Sequence, residues 1–256
     1  MLTGILTIAF VAFIAVISYR HQRFEERLVK QIPLIDWLLM FVFPMTFYVG
    51  LINIVNNIVR RPRMQILDFD DSQILGLGIF FMVYAVVGIS VHFVSKVLSR
   101  YIKQNRRDKA YRVNEIFHGK LSHYITFACA YLLVFSLALL EINHPLTEEL
   151  NRLSFYVLAG VGIVAGFSAF KGIFITQRWI GGHSKPFFFI SLVLLFFLTT
   201  IYKSHRLSLA YYPMNVFILL MLFTVVCIYV GRMFFRVAKL SGKRKLKFIS
   251  RLLSLP

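Results

Sequence analysis

A series of long apolar segments, separated by short polar connections, most constrains what this chain can fold into. Each segment contains at most one charged residue, and the segments cover residues 2–19, 37–59, 72–94, 122–142, 153–175, 186–202 and 213–235. An α-helix needs about 20 apolar residues to cross the hydrocarbon core of a bilayer. The pattern therefore predicts an all-α fold, a polytopic membrane bundle of about seven transmembrane helices.

The composition supports lipid as the solvent for most of the chain. Hydrophobic residues make up 58% and charged residues 16% of the sequence, whereas soluble domains average about 45–50% apolar and about 25% charged residues. We expect residues 1–256 to form a single transmembrane domain. Two basic parts lie outside the predicted spans, a cytoplasmic segment at 95–121 and a cytoplasmic tail at 236–256.

The basic residues predict the orientation of the bundle. If the connections alternate between the two sides, all but six of the 29 Lys and Arg residues fall on one side. The segment from Ser95 to His123 alone carries eight of them. Because basic residues accumulate on the cytoplasmic side, we expect the N-terminus outside, the C-terminus in the cytoplasm, and a multi-pass location in the plasma (inner) membrane.

One outer connection departs from this rule, since it contains Arg60, Arg61 and Arg63. The same connection contains acidic residues, which could pair locally with these arginines or, as an alternative, bind Ca²⁺ or Mg²⁺. The acidic residues are Asp68, Asp70 and Asp71.

The formal net charge of +18 indicates an anionic partner. Because the basic residues lie between apolar spans, anionic lipid headgroups at the inner face are the expected partner. No RNA-binding motif is present, so we expect no nucleic acid. We also predict no cofactor, although a metal or haem at the histidines described next stays open.

Four histidines fall at the predicted inner face, and they are His92, His118, His123 and His183. Imidazoles from several helices can bind a metal or a haem iron, but their spacing here matches no motif. His118 and His123 are five residues apart, a spacing that does not share one face of an α-helix. Interfacial, hydrogen-bonded histidines are therefore the default interpretation. We expect the segment 113–123 to bring His118 and His123 towards His92.

Other polar residues near the span ends are candidates for a transport path. Asn53, Asn56 and Asn57 share one helical face, and Lys171 lies near the inner end of the fifth span. Pro44 predicts a kink in the second span.

At the opposite side, Glu141 and His144 are outer-face polar candidates. We expect Glu141 to be an interfacial carboxylate, with a proton-relay or outer-face site as the alternative.

The fifth predicted span carries small residues, including a GxxxG pattern at Gly162 and Gly166. Small residues at this spacing let helices approach closely in lipid. We therefore expect this helix to be central to packing, and to mediate contact with other membrane proteins or self-association.

The sequence favours three functional classes. No phosphate-binding loop or catalytic serine motif is complete, so a non-catalytic subunit or scaffold of a membrane assembly is the first interpretation. A small transporter or channel is the alternative, supported by Pro44, the asparagine face and Lys171. A lipid-modifying enzyme at the inner interface, using the histidines, is the third.

Overall fold

Helices account for nearly all of the secondary structure in the computed structural model, which describes residues 1–20, 26–30, 32–102, 107–180, 185–240 and 242. His183 and residues 243–256 of the predicted basic tail lie outside these ranges. The α-helices are α1 Leu2–Arg20, α2 Leu34–Trp37, α3 Phe43–Val59, α4 Asp71–Leu98, α5 Lys109–Glu115, α6 Ser122–Ile142, α7 Arg152–Ile180, α8 Lys185–Ser204 and α9 Pro213–Ala238.

Shorter elements complete the described fold. Two strands of two residues each, β1 Leu28–Val29 and β2 Ile32–Pro33, pair as an antiparallel hairpin before α2. A 3₁₀-helix at Leu209–Tyr211 precedes α9. Two π-helical turns, at Leu38–Val42 and Ile116–Leu121, each continue directly into a long α-helix.

Six helical segments are long and apolar enough to cross a membrane, so the fold is an all-α polytopic membrane bundle. Within the described residues they are Leu34–Val59, Asp71–Leu98, Lys109–Ile142, Arg152–Gly172, Pro186–Ser204 and Pro213–Phe235. The apolar part of α1, Leu2–Ser18, is shorter than these six. A seventh crossing by α1 and the orientation of the termini stay predictions.

Long helices alternate in direction, and this gives the bundle two polar ends. We call one the Glu141 end, because it gathers the connection from Arg60 to Asp70, the end of α6 and the turn before α9. We call the other the histidine end, because it contains His92 of α4 and the start of α6. The two ends match the two sides that alternating connections predict.

Close helix contacts at glycine hold the bundle together. A Cβ atom on Gly162 or Gly166 would lie 2.6 Å from a backbone oxygen of α9. The predicted GxxxG face is thus occupied within the chain, and self-association through α7 would need another of its faces. The most buried long helices are α6 and α9, so they, and not the fifth predicted span, form the centre of the bundle.

Pro44 lies inside the continuous helical segment Leu34–Val59, and the kink expected there stays a prediction. This residue lies in the first turn of α3, and the π-helical turn Leu38–Val42 comes immediately before it. Proline clashes with the carbonyl four residues earlier and cannot donate to it. The helix accommodates this residue by widening into a π-turn.

Candidate functional site

Three histidines meet at the histidine end of the bundle. His92 belongs to α4, His118 to the π-turn Ile116–Leu121, and His123 to the first turns of α6. The ring centroid of His92 lies 4.6 Å from that of His118 and 4.8 Å from that of His123. The centroids of His118 and His123 are 6.0 Å apart. We call this group the histidine cluster.

The π-turn explains how two histidines five residues apart reach the same partner. In an α-helix, residues at this spacing point about 140° apart. In a π-helix, the hydrogen bond joins residues five apart, so the turn is wider. The sequence-based expectation that His118 and His123 cannot share a face was therefore wrong, because it assumed uninterrupted α-helix.

A hydrogen bond orients the ring of His123, whereas a ring nitrogen of His118 has no such partner in the described part of the chain. The Nδ1 atom of His123 lies 3.0 Å from the carbonyl oxygen of Gly119. Because a carbonyl only accepts, this contact places the ring proton on Nδ1 and leaves a lone pair on Nε2. The Nε2 atom of His118 is buried and has no hydrogen-bond partner among the described residues.

A buried ion pair lies beside the histidine cluster. The Nζ atom of Lys96 is 2.8 Å from Oδ1 of Asp36, and the Asp36 side chain is only 3% exposed. Lys96 is also close enough to act electrostatically on all three histidines. Sequence analysis missed this pair. The available signal was Asp36 itself, an isolated acidic residue at the start of an apolar span.

Asn114 connects the segment that carries His118 to α4 through a hydrogen bond. Its buried side-chain amide donates a hydrogen bond of 3.0 Å to the carbonyl of Ser95. Next to it, Gly88 of α4 lets α6 approach so closely that a Cβ atom there would lie 2.9 Å from the backbone nitrogen of Thr126. These two contacts fix the pairing of the helices that bring the histidines together.

At the opposite end, Glu141 is the centre of a second polar group. It is fully buried, and its Oε1 atom lies 3.1 Å from Nη1 of Arg61. Its other oxygen accepts hydrogen bonds from the backbone and side-chain nitrogens of Asn215, at 2.9 and 3.1 Å. Glu141 is buried because α9 and the connection from Arg60 to Asp70 cover the end of α6. Its expected position at the membrane interface stays a prediction.

His144 and Asn143 complete this group. The ring of His144 contacts the carbonyl of Arg61 at 3.0 Å and Oδ2 of Asp71 at 2.8 Å. Asn143 exchanges hydrogen bonds with the backbone of Leu67, in the connection between α3 and α4. These hydrogen bonds hold the connection between α3 and α4 against the end of α6, and we interpret the whole group as structural.

Two of the three arginines that depart from the positive-inside rule, Arg61 and Arg63, form ion pairs with acidic residues. Arg63 lies 3.0 Å from Asp70 and 3.6 Å from Asp71, and Arg61 pairs with Glu141. The prediction of local pairing is thus confirmed for Arg63.

Nearby, burial raises the pKa of the Tyr212 hydroxyl, and the negative charge of Glu141 raises it further.

The asparagines of α3 lie on its outer surface. Asn53, Asn56 and Asn57 are all exposed, so they do not line a path through the described bundle. The amide of Asn57 donates to the carbonyl of Asn53 at 2.7 Å. Among the described residues, none forms a hydrogen bond with the side chain of Asn56.

Lys171 is partly buried near the histidine end of α7, next to Gly172, which approaches Phe127 of α6 and Val16 of α1. His183 lies outside the described residues. The structure therefore unites three of the four predicted inner-face histidines and places Lys171 and the asparagines in separate regions.

The chain offers two candidate regions, the histidine cluster and the exposed face of α3. As the side chains stand, no group of three or more His, Cys, Asp or Glu residues in the described ranges is placed to hold a metal ion. Comparison with family models, curated proteins and solved structures finds no match for this chain.

Proposed function

We propose that this integral membrane protein is a non-catalytic subunit of a membrane assembly that associates through the exposed face of α3. The observation that carries the proposal is a stripe of exposed residues along this helix. Counting along α3, the members are spaced four, three, four and three residues apart, and they are Met45, Val49, Ile52, Asn56 and Val59. We call this stripe the α3 seam.

The spacing of the α3 seam is that of helices packed side by side. Apolar residues alternating three and four apart keep one face against a partner helix along its whole length. Any helix packed on one side exposes residues at this spacing, and α4 does so at Gln73, Leu77, Phe80, Tyr84 and Val87. The Asn56 amide is therefore what distinguishes the α3 seam. The seam leaves Met45 68% and Val49 64% exposed, so these side chains are available for a partner.

Asn56 gives the seam a polar member. An amide that faces hydrocarbon without a partner loses hydrogen bonds it would make in water. Between membrane helices, an interhelical hydrogen bond of this kind contributes about 0.6 kcal/mol on average, and up to about 1–2 kcal/mol. A single polar residue in a helix seam also sets the register of the pair.

The occupant we propose is a second copy of the same chain. An amide carries both a donor and an acceptor, so two copies of Asn56 satisfy each other across a two-fold axis. Copies inserted in the same direction bring α3 against α3 in parallel. The same surface on both subunits then forms a closed dimer.

The orientation and membrane belong to the same proposal. The excess of Lys and Arg in the connections at the histidine end favours the cytoplasmic side for that end, in the plasma membrane, where anionic headgroups are its counter-charge. A membrane-impermeant maleimide should label Thr147→Cys but not Lys109→Cys in intact cells. The reverse labelling would contradict this orientation.

Single-cysteine crosslinking in native membranes tests the seam. In a Cys129→Ser, Cys227→Ser background, Ile52→Cys should form a disulfide-linked dimer on mild oxidation. Val83→Cys, on the exposed surface of α4, is the matched control and should stay monomeric. Equal crosslinking at both positions, or none at Ile52→Cys, would contradict the proposal.

A second candidate is an enzyme that modifies lipid at the interface of the histidine end. It is favoured by one observation, the convergence of His92, His118 and His123 from separate helical segments. Ionisable groups at membrane depth are costly, and they mark functional sites more often than structural ones.

A further inference from the structure

We propose that the histidine cluster is a binding site for a divalent transition metal ion of the zinc class. This proposal is independent of the α3 seam, because it uses residues on α4, the π-turn Ile116–Leu121 and α6. The ligands we assign are the imidazoles of His92, His118 and His123.

The ring separations suit three imidazoles around one ion. A Zn–N bond is about 2.0–2.1 Å long, and with tetrahedral angles this places the ligand ring centroids about 5 Å from one another. The observed separations of 4.6, 4.8 and 6.0 Å bracket that value. The nitrogen atoms do not converge on one point in this arrangement, so binding requires the orientations of the rings to change.

Two of the rings already present suitable donor atoms. Gly119 holds the proton of His123 on Nδ1, and a backbone carbonyl in this role is the usual way of directing Nε2 to a metal. The Nε2 atom of His118 is buried without a hydrogen bond to any described residue. A metal ion would give this atom the partner that buried polar atoms ordinarily have.

The imidazole nitrogens determine which metal ions the site would bind. Imidazole ligands suit zinc, copper, nickel and iron, whereas Ca²⁺ and Mg²⁺ prefer oxygen ligands. Lys96 would oppose a nearby cation, but its ion pair with Asp36 offsets that charge. Three protein ligands leave a fourth position for water or a substrate, as in catalytic zinc sites.

The π-turn is the second observation that points to a ligand here. A π-helical turn is rare, occurs as a single turn within α-helices, and is frequently found at functional sites. In this chain it lies directly opposite His92 and is what turns His118 and His123 to the same side.

Zinc titration of the purified, tag-free protein by calorimetry tests the site. The wild-type chain should bind about one Zn²⁺, and His118→Ala and His123→Ala should each weaken binding at least about tenfold. His205→Ala is the matched control, because His205 is exposed at the opposite end. This control should bind zinc like the wild type.

Cobalt substitution gives an independent readout. Co²⁺ in the wild-type protein should show the visible absorption of a tetrahedral nitrogen site, and His123→Gln should abolish it while melting like the metal-free wild type. The absence of stoichiometric binding by the wild type would overturn the proposal, as would unchanged binding in His118→Ala and His123→Ala. Neither result depends on whether the chain dimerises.

Discussion

Glu141 shows how a single buried charge is made tolerable at the end of a membrane helix. Placing a carboxylate in a low-dielectric environment costs several kcal/mol unless it is paired and hydrogen-bonded. Here one oxygen faces Arg61 and the other accepts two bonds from Asn215. Glu141 therefore joins α6 to α9 and to the connection from Arg60 to Asp70 at one point.

Removal of this carboxylate should destabilise the fold. Glu141→Ala leaves the guanidinium of Arg61, whose side chain is 9% exposed, without its counter-charge. Removal of one partner from a buried ion pair costs about 3–5 kcal/mol. This loss would be measured as a lower free energy of unfolding in mild detergent. Glu141→Gln keeps hydrogen-bonding capacity and should lose less.

The matched control is Glu148→Ala, an exposed acidic residue in the connection after α6. Its free energy of unfolding should stay within about 0.5 kcal/mol of the wild type. A Glu141→Ala protein as stable as this control would show that the Arg61 pair contributes nothing to the fold.

The positions of Glu141 and the histidines were predictable from sequence only in part. Alternating connections put Glu141 at one end of the bundle and His92, His118 and His123 at the other. They did not reveal the burial of Glu141, because that depends on Asn215, which is 74 residues away in the chain. A contact between residues so far apart in the chain cannot be inferred from the local pattern of a single sequence.

Contact between α7 and α9 depends on two glycines one helical turn apart. Gly162 and Gly166 bring the backbone of α7 against the carbonyls of Phe217 and Met221. In lipid, such close packing supplies much of the attraction between helices, since the hydrophobic effect does not act between them. The contact therefore depends on the absence of a Cβ atom at both positions.

Addition of one methyl group at this contact should separate the helices. Gly166→Ala would place its Cβ 2.6 Å from the carbonyl oxygen of Met221. Overpacking of this kind costs about 1–3 kcal/mol, which would appear as a lower melting temperature in mild detergent.

Gly160 in the same helix is the matched control, because a Cβ there meets nothing within 4 Å. Gly160→Ala should leave stability unchanged or raise it by up to about 1 kcal/mol, through helix propensity. If both alanine variants melted alike, the close approach of α7 to α9 would be incorrect.

Element boundaries were well predicted where apolar length alone decides them. The predicted span 72–94 lies inside α4 Asp71–Leu98, and 122–142 coincides with α6 Ser122–Ile142. The π-turn at Ile116–Leu121 was not predicted, because nothing in its composition distinguishes it from α-helix. Its effect was to bring together two histidines that α-helical spacing keeps apart.

At the scale of the whole molecule, the bundle has a packed interior and an exposed helix, α3, whose outer face carries the Asn56 amide. The buried core extends across α6 and α9, while α3 and α4 expose most of their surface. On α3, that surface carries the regular seam with Asn56. We therefore place the assembly contact on α3, where a partner would cover both the apolar stripe and the amide.

The predicted fold class is confirmed, whereas the count of seven spans is not. Six helices have membrane length in the described residues, and α1 falls short of them in apolar length. The α3 seam was not predicted either. Asn56 was recognised as sharing a face with Asn53 and Asn57, but only the structure shows that this face is exposed.

Dissociation of the purified dimer on dilution in mild detergent tests the α3 seam most directly. Asn56→Leu should weaken dimerisation about 3- to 30-fold, as expected for the loss of about 0.6–2 kcal/mol of interhelical hydrogen bonding. Thr199→Val, on the exposed surface of α8, is the matched control, because its hydroxyl bonds only its own helix. This control should dimerise like the wild type. A monomeric wild-type protein, or an Asn56→Leu variant with unchanged affinity, would contradict assembly through α3.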